Sequence, residues 1–95
     1  MISNQKQPIE RTAHVLKSLA HPIRMQIIML LRGGERELSV TAIQEKLSVS
    51  QSLASHHLSL LRTKGVLNVR TNGTERYYSL KDLRFAQSIA TLFEK

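Results

Sequence analysis

The sequence has no cysteine and few aromatic residues, with no tryptophan, two tyrosines and two phenylalanines. Without cysteine there are no disulfides, no thiolate metal ligands and no thiol redox sensor. Four aromatic side chains are too few for the stacking platform that binds single-stranded nucleic acid. The longest strictly apolar run, Ile27–Leu31, is far shorter than the ~20 residues that cross a bilayer. We therefore expect a cytoplasmic protein, with a polar tail over residues 1–7 and a single domain over residues 8–95.

Positive charge is concentrated in two parts of the chain. The formal net charge is +7, from 14 Lys and Arg against seven Asp and Glu. Residues 1–24 and residues 50–81 carry the excess, and the remaining segments are balanced. No Asp or Glu occurs between Ser50 and Gly73. This distribution is typical of a surface that binds a polyanion, although charge alone is equally consistent with an idle basic surface.

Apolar spacing and turn residues predict five helices and one hairpin, in the order α-α-α-α-β-β-α. The third and fourth helices are separated only by Ser48–Ser50, which predicts a helix-turn-helix. Asn72-Gly73 is a strong signal for a two-residue hairpin turn. A hairpin that follows a helix-turn-helix is the wing of a winged helix, so we expect an α+β, mostly α, fold of that class. The predicted helices span residues 8–20, 22–32, about 41–47 (with Thr41 or Ser39 as N-cap), 51–64 and 82–94, and the predicted strands span residues 66–70 and 77–80.

The fourth predicted helix has an apolar face and an opposite face that is wholly polar. Short hydroxyls on the polar face allow close approach to a DNA groove, and Gln, His and Arg can pair with bases or phosphates. A merely solvated face would usually mix both charge signs. The hairpin carries arginines on both sides of its tip, which suits the DNA backbone or the minor groove. The predicted contacts with double-stranded DNA are Gln51, Ser52, Ser55, His56, His57 (packed beside the groove or on a phosphate), Ser59, Arg62, Arg70, Thr74 and Arg76.

The first and last helices carry more apolar surface than one domain needs. The fifth helix has apolar side chains around more than one face, so we expect part of it to pair with the first helix of a second copy; the alternative is a fully intramolecular fifth helix. A two-fold homodimer would place two recognition helices about 34 Å apart, which predicts a palindromic operator. The predicted interface residues are Ile9, Leu16, Leu19, Phe85, Ile89, Leu92 and Phe93.

Three stretches of the sequence resemble the ArsR/SmtB family of repressors. They are LKSLAHPIR at residues 16–24 with the apolar run after it, SQSLASHHL at residues 50–58, and GVL at residues 65–67 followed by YYSL at residues 77–80. They occur in the family's order and spacing. The resemblance implies a homodimeric winged-helix repressor that occupies an operator and releases it when an effector binds.

The sequence departs from the family's metal-binding pattern at both usual sites. The family's Glu-Leu-Cys-Val box reads Glu-Leu-Ser-Val here, with Ser39 in place of the cysteine, and a hydroxyl is a far weaker ligand than a thiolate. The fifth-helix site needs Asp-x-His, but Asp82 is followed by Arg84, and no histidine occurs after His57. We therefore expect no metal and no other cofactor. The effector stays open, as a small molecule, another protein or none.

Three other functions compete with sequence-specific DNA binding. An enzyme is disfavoured because no nucleophile–base pair, phosphate loop or carboxylate pair is visible. A winged-helix module could instead bind an acidic protein partner, and a nucleoid protein could bind DNA without sequence preference. The ordinary pKa of histidine, ~6.5, would also make DNA binding mildly sensitive to pH.

Overall fold

The computed structural model describes residues 2–94, with side chains over residues 5–94. Helices and strands follow one another in the predicted order, with one additional strand between the second and third helices. None of the described helices is long and apolar enough to cross a membrane. The elements are α1 (Ile2–Ser18), α2 (Pro22–Arg32), β1 (Glu37–Ser39), α3 (Val40–Leu47), α4 (Gln51–Thr63), β2 (Leu67–Asn72), β3 (Glu75–Leu80) and α5 (Leu83–Ala90).

Both terminal helices differ from their predicted bounds. α1 begins at Ile2, so the predicted start at Pro8 is wrong and the segment predicted as a polar tail is helical over residues 2–7. Gln and Lys are good helix formers but leave no apolar stripe to detect, and Pro8 lies inside the helix. α5 ends at Ala90 rather than at 94, because the amides of Leu92 and Phe93 bond three residues back in a tighter turn.

The sheet has three strands in the order β1-β3-β2, not the two of a simple hairpin. The missed strand, β1, pairs antiparallel with β3 so that Leu38 lies opposite Tyr78. A three-residue strand is too short to show alternation in the sequence. The hairpin turn is also shifted by one residue from the prediction: Asn72 pairs with Glu75, and the turn residues are Gly73 and Thr74. Only Gly73 has a positive φ there (66°), which fits a turn with glycine first.

The core lies where α2, α4, α5 and the sheet meet. α2 is at its centre, because Ile27, Ile28 and Leu31 repeat at helical spacing and are fully buried. α1 contributes little to this core and leaves Ile9 and Leu16 about half exposed. The structure therefore packs α4 and the base of the wing against the domain and leaves an apolar strip on α1. The core residues are Leu19, Ile27, Ile28, Leu31, Leu38, Ile43, Leu58, Leu61, Val66, Leu67, Tyr78, Ala86 and Ile89.

Candidate nucleic-acid interface

Serine side chains fix the two helices of the helix-turn-helix. The Ser39 hydroxyl accepts a hydrogen bond from the Ala42 amide (3.0 Å), so Ser39 and not Thr41 is the N-cap of α3. Ser50 caps α4 in the same way, through the Leu53 amide at 3.1 Å. Between them Ser48 adopts a left-handed conformation (φ 55°) that ends α3. These local bonds set the direction in which α4 leaves the turn.

The polar face of α4 is open to solvent as predicted. Ser55 is half-buried at the side of this face, where the helix approaches the wing. Ala54, Leu58 and Leu61 lie on the opposite face, in or against the core, as their spacing indicates. The structure therefore presents a carboxylate-free helical surface along the exposed side of α4. Its exposed members are Gln51, Ser52, His56, Ser59 and Arg62.

His57 does not belong to this exposed surface, so of the two places predicted for it, packing beside the groove and a phosphate contact, its burial favours packing. Its side chain is only 3% exposed, and its Nδ1 accepts a hydrogen bond from Arg24 Nε at 3.0 Å. The reason is helical geometry, because position 57 is three residues from Ala54 and four from Leu61 on the buried stripe. Burial, together with the neighbouring His21 and Arg24, holds the pKa of His57 below its ordinary value of 6.5. The spacing already indicates this, since two adjacent histidines on a helix lie on different faces.

The wing tip and the start of α4 enclose a small cleft of about 240 Å³. Gln51 and Ser55 line it from α4, and Thr74 and Arg76 line it from the wing. The cleft thus brings together four residues predicted from two separate segments. Glu75, a carboxylate just beyond the acid-free span, lines the cleft as well and was not among the predicted DNA contacts.

Arg70 and Arg76 bracket the wing tip in sequence but differ in their contacts. Arg70 forms two hydrogen bonds with Glu37, Nε to Oε2 at 3.0 Å and Nη2 to Oε1 at 2.8 Å. Its guanidinium also lies 4.7 Å from the centre of the Tyr77 ring. Because Glu37 accepts these bonds, its pKa lies below its ordinary value, so the carboxylate stays charged and opposes the charge of Arg70. The pairing was not visible in the sequence, since the partners are 33 residues apart.

The residues predicted for a dimer interface fall into two groups. Ile9, Leu16, Leu92 and Phe93 are exposed, and Leu92 retains 77% of its accessible surface. Phe85 is half-buried against the core. Leu19 and Ile89, by contrast, belong to the core of their own domain and have little surface left for a partner.

Residues 21–69, from the start of α2 to the first wing strand, match the model of the family described as "Bacterial regulatory protein, arsR family". The chain belongs to this family. The ArsR/SmtB resemblance is therefore confirmed, and this ArsR-family protein is a DNA-binding transcriptional regulator with a winged-helix fold.

Relatives of known role and structure agree with this membership. The crystal structure of the transcriptional repressor PagR of Bacillus anthracis is 35% identical, covers 94% of this chain and 99% of its own, and superposes with a TM-score of 0.79. The transcriptional activator HlyU of Vibrio cholerae is 35% identical over 82% of this chain and 70% of its own length. A homodimeric winged helix-turn-helix DNA-binding domain from Mycobacterium bovis is 31% identical, covers 93% of this chain and 80% of its own, and has a TM-score of 0.79.

Ser39 stands where the metal box of the ArsR family has its cysteine, and in this ArsR-family protein it has a structural role. Ser39 ends β1, and its hydroxyl is used as the N-cap of α3. Within residues 2–94 no three His, Asp or Glu side chains come together in a way that could hold a metal ion.

Proposed function

We propose that two copies of this chain bind a palindromic duplex operator and repress transcription from it. In this proposal α4 of each copy enters the major groove, and the wing follows the adjacent backbone. The observation that carries the proposal is the cleft in which Gln51 and Ser55 of α4 meet Thr74 and Arg76 of the wing. A base edge reached from the helix and a phosphate reached from the wing would both lie at this cleft. The protein would act by binding alone, without catalysis, in the cytoplasm where the operator lies.

The side chains of α4 suit base recognition on chemical grounds. Gln51 can pair with the N6 and N7 atoms of adenine, and the Ser55 hydroxyl can form a hydrogen bond with a base edge while its small size allows the helix to approach closely. Arg62, at the other end of the helix, is exposed and suits a phosphate or guanine. Base contacts supply sequence preference, whereas phosphate contacts supply affinity for any duplex.

Dimerisation through α1 and the end of α5 accounts for the apolar side chains that are exposed on α1 and just after α5. Ile9 and Leu16 lie one above the other on α1, and Leu92 and Phe93 follow α5. An exposed strip of this kind is covered in a stable assembly. The relative from Mycobacterium bovis is homodimeric, which supports the same state here.

The test is a comparison of affinity for specific and unrelated duplexes. An operator is first selected from random duplex DNA with the purified protein. Fluorescence anisotropy then measures binding by wild type, Gln51→Ala, Ser55→Ala and the control Asn68→Ala, which alters an exposed residue of β2 far from the wing tip. Loss of a base contact at about 1–3 kcal/mol should weaken operator binding at least several-fold and leave unrelated DNA unaffected. The control should bind as wild type.

Three outcomes would count against the proposal. Equal losses on every sequence from the two α4 variants would show that α4 does not read bases. Binding without any sequence preference would favour a nucleoid protein. Binding of an acidic protein but of no duplex, even at low salt, would favour a protein-interaction module. A reporter gene under the selected operator then tests repression. One of the relatives is an activator, and if this protein also activated transcription, the reporter signal would rise instead of falling.

A further inference from the structure

A partly buried polar cluster joins α1, α2 and α4 beneath the exposed polar face of α4. We call His21, Arg24 and His57 the histidine–arginine cluster. Arg24 Nε donates to His57 Nδ1 at 3.0 Å, and Arg24 Nη1 donates to the backbone carbonyl of Ser18 at 2.8 Å. Ser18 is the last residue of α1, and His57 lies in the middle of α4. One guanidinium therefore ties the end of α1 to the recognition helix.

Both imidazole rings of the cluster use Nδ1 as a hydrogen-bond acceptor. His57 Nδ1 accepts from Arg24, and His21 Nδ1 accepts from the Ile23 amide at 3.1 Å as the N-cap of α2. The ring centres are 4.5 Å apart. A neutral imidazole has one acceptor nitrogen, whereas a protonated imidazole has none. His57 therefore cannot take up a second ring proton without losing its hydrogen bond to Arg24.

The charged and titratable groups that face His57 all oppose its protonation. α2 contributes His21 and Arg24, and α4 contributes His56, whose ring centre is 5.4 Å from that of His57. α1 contributes the Ser18 carbonyl, which is already occupied by Arg24. No carboxylate is among the groups that act on His57. A proton on His57 would be buried next to a guanidinium with no compensating negative charge.

We propose that the histidine–arginine cluster is a proton-sensitive joint that holds α4 at its DNA-binding angle to α1, and that protonation of His57 releases it. Arg24 and His57 act in this proposal as positioning residues, because Arg24 bonds to His57 and to the Ser18 carbonyl and would affect DNA only through the placement of α4. This inference rests on the proposed function, in which α1 pairs the two subunits and α4 reads DNA. The angle between these helices then sets the separation of the two recognition helices on the operator.

The sign of the pH effect follows from linkage. DNA binding requires neutral His57, so a protein protonated there must release that proton on binding. Affinity should therefore fall as pH drops through the pKa of His57, which lies below its ordinary value of 6.5, by no more than about tenfold per pH unit for the one proton on each subunit. The exposed His56 acts in the opposite direction, because a positive charge on the DNA face is attracted to phosphates. The two effects must be separated by mutation.

The binding experiment uses the selected operator between pH 7.5 and 5.5 at constant ionic strength. The His56→Asn variant should bind the operator more weakly as pH falls, because the opposing effect of His56 has been removed. His56→Asn combined with His57→Asn should lose most of that dependence, because the asparagine oxygen can accept from Arg24 and does not titrate. His14→Asn, on the exposed side of α1, should follow the wild type.

A second readout needs no DNA. NMR of the free wild-type protein should show the Arg24 Nε–H signal shifting or broadening over the same pH range in which the His57 ring titrates. The joint is refuted if the double variant keeps the full pH dependence of His56→Asn, or if His57 titrates while the Arg24 signal stays constant. Failure to bind any duplex at any pH would instead overturn the proposed function. The NMR titration of the free protein would still test whether protonation of His57 breaks its hydrogen bond to Arg24. If the double variant does not fold, the wild-type NMR titration decides.

Discussion

The two wing arginines provide a sharp test of the proposed DNA contacts. Arg70 and Arg76 lie on either side of the wing tip in the sequence, which suggests equal contributions to DNA binding, but their contacts in the structure differ. Arg76 lines the cleft beside α4, whereas Arg70 is held by two hydrogen bonds to Glu37. Arg76→Gln should remove a phosphate contact from each subunit of the dimer. Arg70→Gln should remove a charge that Glu37 already compensates, so DNA binding should change little.

The magnitude follows from counterion release. Each neutralised phosphate contributes about −0.9 to the slope of log affinity against log salt concentration, so two contacts per dimer contribute about −1.8. Over a fourfold range of salt concentration, such as 50 to 200 mM, this slope corresponds to a change of about tenfold. Arg76→Gln should therefore lose affinity mainly at low salt, with a visibly shallower slope on operator and unrelated DNA alike.

The assay is anisotropy titration across a salt series at constant pH. Glu37→Gln is the matched partner of Arg70→Gln, because it keeps the shape of the side chain but frees the Arg70 charge. It should steepen the salt dependence and strengthen binding to any duplex. Equal flattening by Arg70→Gln and Arg76→Gln, or no effect of Glu37→Gln, would refute the assignment.

Three further substitutions test the core, the wing turn and the dimer. Leu58→Ala removes a fully buried side chain of α4 and should lower the free energy of unfolding by about 2–5 kcal/mol in a denaturant titration. Gly73→Ala has room for its methyl group but keeps a φ of 66°, so a loss of about 1 kcal/mol, measured in the same way, is expected from backbone strain alone. Leu16→Glu places a charge in the exposed strip of α1 and should shift the protein to a monomer in sedimentation experiments without loss of helical circular dichroism; a persistent dimer would place the interface elsewhere.

Local signals account for the parts of the fold that the sequence predicted correctly. Ser50 and Asp82 cap their helices through the amides of Leu53 and Arg84, and both caps depend only on residues within the next turn. The apolar stripe of α4 follows from helical spacing and packs as expected. Where the local signal was weak, prediction failed: residues 2–7 have helix propensity but no apolar period, and β1 is three residues long.

The sequence by itself determined the order of the helices and the two hairpin strands, the helix-turn-helix and an acid-free polar face on α4, because caps, turns and periodicity depend on residues close in the chain. Only the tertiary structure decided which of the candidate side chains remain available on the surface. Arg70 is compensated by Glu37, and His57 is bound by Arg24, and in each pair the partners are 33 residues apart. Such contacts depend on the register of the sheet and on how α2 packs against α4, and neither is encoded in the local pattern of the sequence.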